Sequence, residues 1–293
     1  MNTRHLYIVM GSVAVTTALL FLLMVSCRPQ VNPHRITVSI APERYFVERI
    51  AGDAYEVREM VPQGVGPEEY DPTPQDISSL SKSALYFYMG TLGFEKAWLN
   101  AINENNANLK CIDISTYIST PATPSTHSHD GHEHPGADPH FWASVTGATA
   151  ISKGIYEALI EHYPEDAQTF AENYDRLLRD IKSLEEECRE VFAHTTHRSF
   201  VIYHPSLTYF AEEWGLNQLV LEQDGKEPTP AHLAKVIARA QSDSVRVVFV
   251  QKEFDTARAE KLAKEIGAEV YEIAPLSYDW MAEMRHILDA FRE

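Results

Sequence analysis

The chain has 293 residues, enough for two lobes of ordinary domain size, and its 44% hydrophobic and 10% aromatic content fits a packed body and excludes disorder as its main state. Its formal net charge is −17, a sign that repels phosphate backbones, so nucleic acid is ruled out as an expected partner while cations are attracted.

At the amino end Arg4 precedes an apolar run over residues 6–25 that no charge interrupts. A short positive end followed by an apolar stretch is the layout of a secretory signal. The run closes on Met24-Val25-Ser26-Cys27, a small residue directly before a cysteine, which resembles a bacterial lipoprotein processing box. Residues 1–26 then read as a signal peptide, Cys27 as the lipidated residue and 27–35 as a tether. The alternative is an uncleaved anchor, because about twenty apolar residues can span a bilayer. On both readings the body lies outside the cytoplasm, where disulfides are permitted. Cys111 falls in an apparent buried strand and Cys188 in a long helix, so two unpaired buried thiols are expected.

Beyond residue 35 strand-like and helix-like segments alternate. Strands are predicted at 36–40, 55–61, 84–89 and 109–114, and helices at 43–51, 76–82 and 95–104. The run 84–89 is almost wholly apolar, as in a strand buried on both faces. Residues 115–137 are rich in Ser, Thr, Pro and His without apolar period and read as a loop. Helical spacing covers 143–162 and 164–193, the second with an apolar stripe at Phe170, Tyr174, Leu177, Leu178, Ile181 and Leu184. Alternation then resumes, with strands at 200–203, 219–222, 245–250 and 269–273 and helices at 207–214, 229–241, 256–266 and 279–291. This order implies an α/β fold of two Rossmann-like lobes with mainly parallel sheets, 36–142 and 195–293, joined by the long helices of 143–194. A helical joint is stiff, so lobe closure is expected to be small.

Four features carry chemistry. His127, His129, His132 and His134 lie within eight residues of the loop 119–137. Neutral imidazole is the commonest protein ligand for zinc and also suits copper and nickel. A loop without pre-organisation cannot hold one geometry, so this cluster reads as an accessory collector. Asp138-Pro139-His140-Phe141-Trp142 follows directly and restrains His140, with Asp138 near enough to orient its ring. His204 stands just past the first strand of the second lobe, where ligands bind in open α/β sheets. Residues 64–76, just past a strand of the first lobe, offer Glu68, Glu69 and Asp71 in a loop stiffened by Gly and Pro.

Taken in order, these stretches resemble the metal-binding, zinc and manganese type of ABC-transporter substrate-binding lipoproteins, from about residue 36 to the carboxyl end. The resemblance rests on Pro67-Glu68-Glu69-Tyr70-Asp71-Pro72-Thr73-Pro74-Gln75-Asp76, on Asp138 to Trp142, on His204 followed by Tyr209-Phe210, and on Glu227-Pro228-Thr229-Pro230. A His-rich loop before the second motif resembles the zinc branch. Two departures stand out: the first motif has Glu68 where the family has histidine, and the family's late Asp-Pro-Leu is Ala274-Pro275-Leu276.

The resemblance implies metal ligands Glu68, His140 and His204 in an inter-lobe cleft, Glu68 and His140 from the first-lobe side and His204 from the second. Asp279 or water would complete the set, though Asp279 can equally cap a helix. Two imidazoles and a carboxylate suit four-coordinate zinc, whereas manganese prefers more oxygen ligands. The implied function is extracytoplasmic capture of a divalent metal by a lipid-anchored, periplasm-facing monomer and delivery to a membrane permease. A metal-dependent adhesin or metal store remains open beside it. A zinc hydrolase is the remaining rival, but the chain has no His-Glu-x-x-His helix and no nucleophile motif.

Overall fold

In a computed structural model the described residues are 31–68, 70–118, 138–223, 226–252 and 256–292. The leader through Ser26, Cys27, and the histidines His127, His129, His132 and His134 lie outside them.

Two four-stranded sheets share one strand order. β1 (Asn32–Val38), β2 (Glu56–Glu59), β3 (Ser83–Tyr88) and β4 (Lys110–Asp113) are arranged β2-β1-β3-β4. β5 (Ser199–Ile202), β6 (Asn217–Val220), β7 (Val247–Gln251) and β8 (Glu269–Ile273) are arranged β6-β5-β7-β8. All pairings within the sheets are parallel, as crossover connections through helices require. The crossovers in the first sheet run through α1 (Ala41–Ala51), α2 (Pro74–Leu80) and α3 (Gly93–Asn105). Those in the second run through α6 (Thr208–Trp214), α7 (Pro230–Ser242) and α8 (Thr256–Ile266). Between the sheets lie α4 (Val145–His162) and α5 (Ala167–His194), and α9 (Trp280–Asp289) closes the chain.

The core explains why the strands read as apolar runs. Phe200, Ile202, Val247 and Phe249 face one large apolar cluster that also contains Ile36, Val38 and Phe87 of the first sheet. The alternate residues Val201, Val248 and Val250 face a second cluster under α7 and α8. The large cluster thus runs from one sheet to the other through α5, whose Phe170, Leu177, Ile181, Leu184, Cys188 and Phe192 are buried in it. α5 packs against α1, α4 and α9. Arg285 of α9 grips Glu187 of α5 through Nη2 (2.8 Å) and Nε (3.1 Å).

Three expectations change. Residues 32–35, expected in the tether 27–35, lie in the first strand instead, where Asn32 donates its N–H to the Lys82 carbonyl (2.8 Å) and the Pro33 carbonyl accepts from the Tyr163 hydroxyl (2.7 Å). Cys111 is only half-buried, because β4 is an edge strand, while Cys188 is buried as expected; neither is in a disulfide. The last helix begins at Trp280 with Asp279 as its cap. Among the described residues no helix is long and apolar enough to cross a membrane.

Candidate metal centre

The carboxyl ends of both sheets supply the site. In the second sheet Ile202 of β5 is in register with Val220 of β6 and Phe249 of β7. Two residues farther along each strand stand His204, Glu222 and Gln251, which the same register brings side by side. Glu222 Oε1 lies 3.0 Å from His204 Nδ1. Gln251 accepts the His204 N–H (3.4 Å) and donates to the His204 carbonyl (2.6 Å) and the Ser206 hydroxyl (2.8 Å). The backbone and ring of His204 are therefore both held.

His140 precedes a single tight turn, Phe141–Ala143, that leads into α4. Asp138 Oδ1 accepts the His140 backbone N–H (2.9 Å) and stands 2.8 Å from its Nδ1. In the first sheet the chain leaves β2, and Met60 and Val61 still donate to the Val38 and Ser39 carbonyls (2.9 and 3.0 Å). The following loop carries Glu68. Its far side is pinned by Tyr70, packed edge-on to Phe94 (5.0 Å), and by Asp71, which accepts the Trp98 indole N–H (2.9 Å).

Glu68, His140 and His204 converge on one point. His140 Nε2 and His204 Nε2 are 3.3 Å apart, and Glu68 Oε1 is 3.7 Å from His140 Nε2. Among the described residues this is the group of three or more His, Cys, Asp or Glu able to hold a metal ion, with all ligand atoms within 4.8 Å of one another. Side-chain exposure is 7% for His140, 21% for His204 and 47% for Glu68, so an ion reaches the point from the Glu68 side.

The carboxylates behind the rings set their chemistry. A carboxylate on Nδ1 fixes the tautomer and leaves Nε2 as the free lone pair, the arrangement found behind metal-ligating histidines. Two such nitrogens face each other here, a pair that one shared proton or one divalent cation between them can satisfy. Burial pulls the His204 pKa down, but the hydrogen bond and charge of Glu222, with the charges of Glu68 and Asp138, outweigh it and hold it above the ordinary value. Burial pushes the Asp138 carboxyl up, yet its bonds and charge contact with His140 hold it below the ordinary value.

The remaining predicted residues divide. Glu68, His140 and His204 are brought together. Asp279 is not part of the group: its Oδ1 accepts the Ala282 N–H (3.1 Å) and caps α9, so the expectation of a fourth ligand there is corrected. At the departed position the Ala274 N–H donates to Glu283 (2.7 Å). The segment of His140 also bonds to the second half of the chain, through the Tyr209 hydroxyl to the Asp138 carbonyl (3.0 Å) and Trp142 Nε1 to the Pro275 carbonyl (3.0 Å). Glu222 and Gln251 were missed in the sequence. The signal for them was the parallel order itself, which places the residues after adjacent strands next to His204.

Residues 36–293 match the family described as zinc-uptake complex component A, periplasmic. The chain is 29% identical over 258 residues to the manganese-binding lipoprotein MntA of Halalkalibacterium halodurans, covering 84% of this chain and 83% of that one. It is 24% identical to the zinc-binding lipoprotein AdcA of Streptococcus pneumoniae over 88% of this chain, and spans about half (53%) of AdcA's length. A crystal structure of ZnuA superimposes with a TM-score of 0.78 at 33% identity, covering 88% of this chain and 97% of that one. A metal-dependent lipoprotein YcdH from Bacillus subtilis, at 22% identity and a TM-score of 0.71, shares the fold. The chain belongs to the zinc-uptake complex component A family, periplasmic solute-binding proteins that serve metal-uptake systems and are not enzymes.

Proposed function

We propose that this protein captures one divalent transition-metal ion, zinc, between Glu68, His140 and His204 and delivers it to an ABC-type permease. The observation that carries the reading is the facing pair of Nε2 atoms at 3.3 Å, each ring braced by its own carboxylate. Two nitrogens about 2.0–2.1 Å from a tetrahedral zinc stand roughly 3.3–3.4 Å apart, so the pair is spaced for that ion. Water completes the four-coordinate set. The ligand balance of two imidazoles to one carboxylate supports zinc over manganese, which favours more oxygen ligands. Cys27 anchors the chain to the membrane that holds the permease, and His127, His129, His132 and His134 gather metal loosely.

Manganese is the second reading, supported by Glu68 in place of a histidine and by the MntA relative. Metal analysis of the mature protein purified without added metal separates the two. Competition titration with zinc and manganese should give one tight equivalent of zinc; a tight manganese equivalent with weak zinc reverses the assignment.

A further inference from the structure

The segment bearing His140 is tied to the second half of the chain by three hydrogen bonds. Tyr209 of α6 donates its hydroxyl to the Asp138 carbonyl (3.0 Å). Trp142 donates its indole N–H to the Pro275 carbonyl (3.0 Å), and Trp280 donates its own to the Trp142 carbonyl (2.7 Å). Glu213, also on α6, reaches the amino end of α4. Its carboxylate accepts the N–H groups of Val145 and Thr146 (both 3.0 Å) and the Thr146 hydroxyl (2.5 Å).

The first turn of an α-helix leaves four N–H groups without partners inside the helix. On α4 three of them are satisfied by side chains. Ser144 Oγ accepts from Gly147 (3.0 Å), while Glu213 takes Val145 and Thr146. Two of the three are thus met by a residue 68 positions away from Val145. Negative charge at a helix amino end is also favoured by the helix dipole.

The first turn of α4 is in direct contact with the turn that follows His140. At Gly147 an added Cβ would stand 1.7 Å from the Phe141 carbonyl oxygen. No side chain fits, so the Phe141–Ala143 turn lies hard against the helix, and a shift of one moves the other.

We propose that Glu213 is a positioning residue for metal capture. By capping α4 from α6, it fixes the His140 turn to the body that carries His204. The two imidazoles then form one preset pair, and Glu68 closes on the ion from the opposite side. This rests on the reading of Glu68, His140 and His204 as the metal site.

The test compares the mature wild-type protein with E213A, E213Q and Y209F, using zinc affinity by chelator competition, the visible spectrum of bound cobalt(II), and hydrogen exchange. E213A should weaken zinc roughly 10–100-fold, the range seen when a group supporting a metal ligand is removed. It should also alter the cobalt bands and speed exchange at residues 141–147 but not in β3 or α1. E213Q retains an acceptor oxygen and should recover most of the affinity. Y209F, which loses one hydroxyl, should shift affinity in the same direction by less; it decides the matter if E213A does not fold. Wild-type affinity and cobalt spectrum in folded E213A, or in Y209F where E213A is unfolded, overturns the proposal. So does a loss that E213Q does not rescue and that comes with faster exchange throughout the chain. H140A and H204A serve as the separate check: if these keep wild-type zinc affinity, the metal-site reading has failed and the positioning role with it.

Discussion

Each of the two facing imidazoles has one nitrogen committed to a carboxylate, and that commitment decides what the other nitrogen can do. H140A and H204A should each lower zinc affinity more than about 100-fold, because removing a ligand costs more than removing the group behind it; calorimetry on the mature chain reads this. E68A should lower affinity less, since Glu68 is the most exposed of the three. The pH sign follows from His204. Its pKa is raised above 6.5 by Glu222, so a proton competes for the ring at higher pH than for an ordinary histidine, and zinc binding weakens as pH falls. E222Q removes the main raising group. Its acid limb should therefore move to lower pH, while affinity at pH 8 drops roughly 10–100-fold. An acid limb unchanged in E222Q contradicts the role given to Glu222. At this scale His140 was legible because Asp138 and Pro139 flank it in the chain. Glu222, 18 residues beyond His204, could not be tied to it before strand order was known.

Among the elements, α1 and α3 meet over a buried pair of acids. Glu95 accepts the Ser39 hydroxyl, the Met89 N–H (2.9 Å) and the Leu92 N–H (3.2 Å), all of them donors suited to a carboxylate. Glu43 accepts the Ser39 and Ile40 N–H groups on Oε2 (2.8 and 3.1 Å), and its buried Oε1 has no partner. Burial and the charge of Glu95 raise the Glu43 carboxyl well above 4.5, and burial raises Glu95 to about 7. The donor count places the shared proton on Glu43. A folded-state pKa above the unfolded one means that the folded chain binds the extra proton. The stability contributed is present below about pH 4.5 and lost as pH rises through the raised values. E43Q keeps the neutral shape at every pH, so its melting temperature relative to wild type should climb from pH 5 to pH 9. A constant difference would place the proton elsewhere. The elements themselves were largely readable: 84–89 betrayed a central strand by its unbroken apolar run and 245–250 by one interrupted only at Arg246, and Thr229-Pro230 marked a helix start that the structure keeps, with Thr229 accepting the His232 N–H. β6 starts and ends two residues earlier than its pattern suggested, at Asn217–Val220, because residues 221 and 222 leave the strand while still donating to the Ile202 and Tyr203 carbonyls. Nothing in the sequence singles out Glu213; only the packing of α6 against α4 gives it a role.

Across the whole molecule one apolar cluster joins both sheets through a helix of 28 residues. The halves should therefore unfold in a single transition, and saturating zinc should raise its midpoint, by about 2.7 kcal/mol of stabilisation when free zinc is 100 times its dissociation constant. Two separate transitions in calorimetry would contradict a shared core. The same continuity limits closure, so small-angle scattering should give equal radii of gyration for metal-free and zinc-loaded protein. Deleting 126–135 should remove weak extra zinc equivalents and leave the tight one intact. If the tight equivalent disappears with the loop, the division between collector and site is wrong.

The indole of Trp142 lies 5.1 Å from the His140 ring, and it is fully buried with its N–H bonded to the Pro275 carbonyl. Loading of the centre therefore carries its own optical signal. Intrinsic emission should change as zinc occupies the imidazole, which lets capture and release be timed on unlabelled protein in a stopped-flow cell.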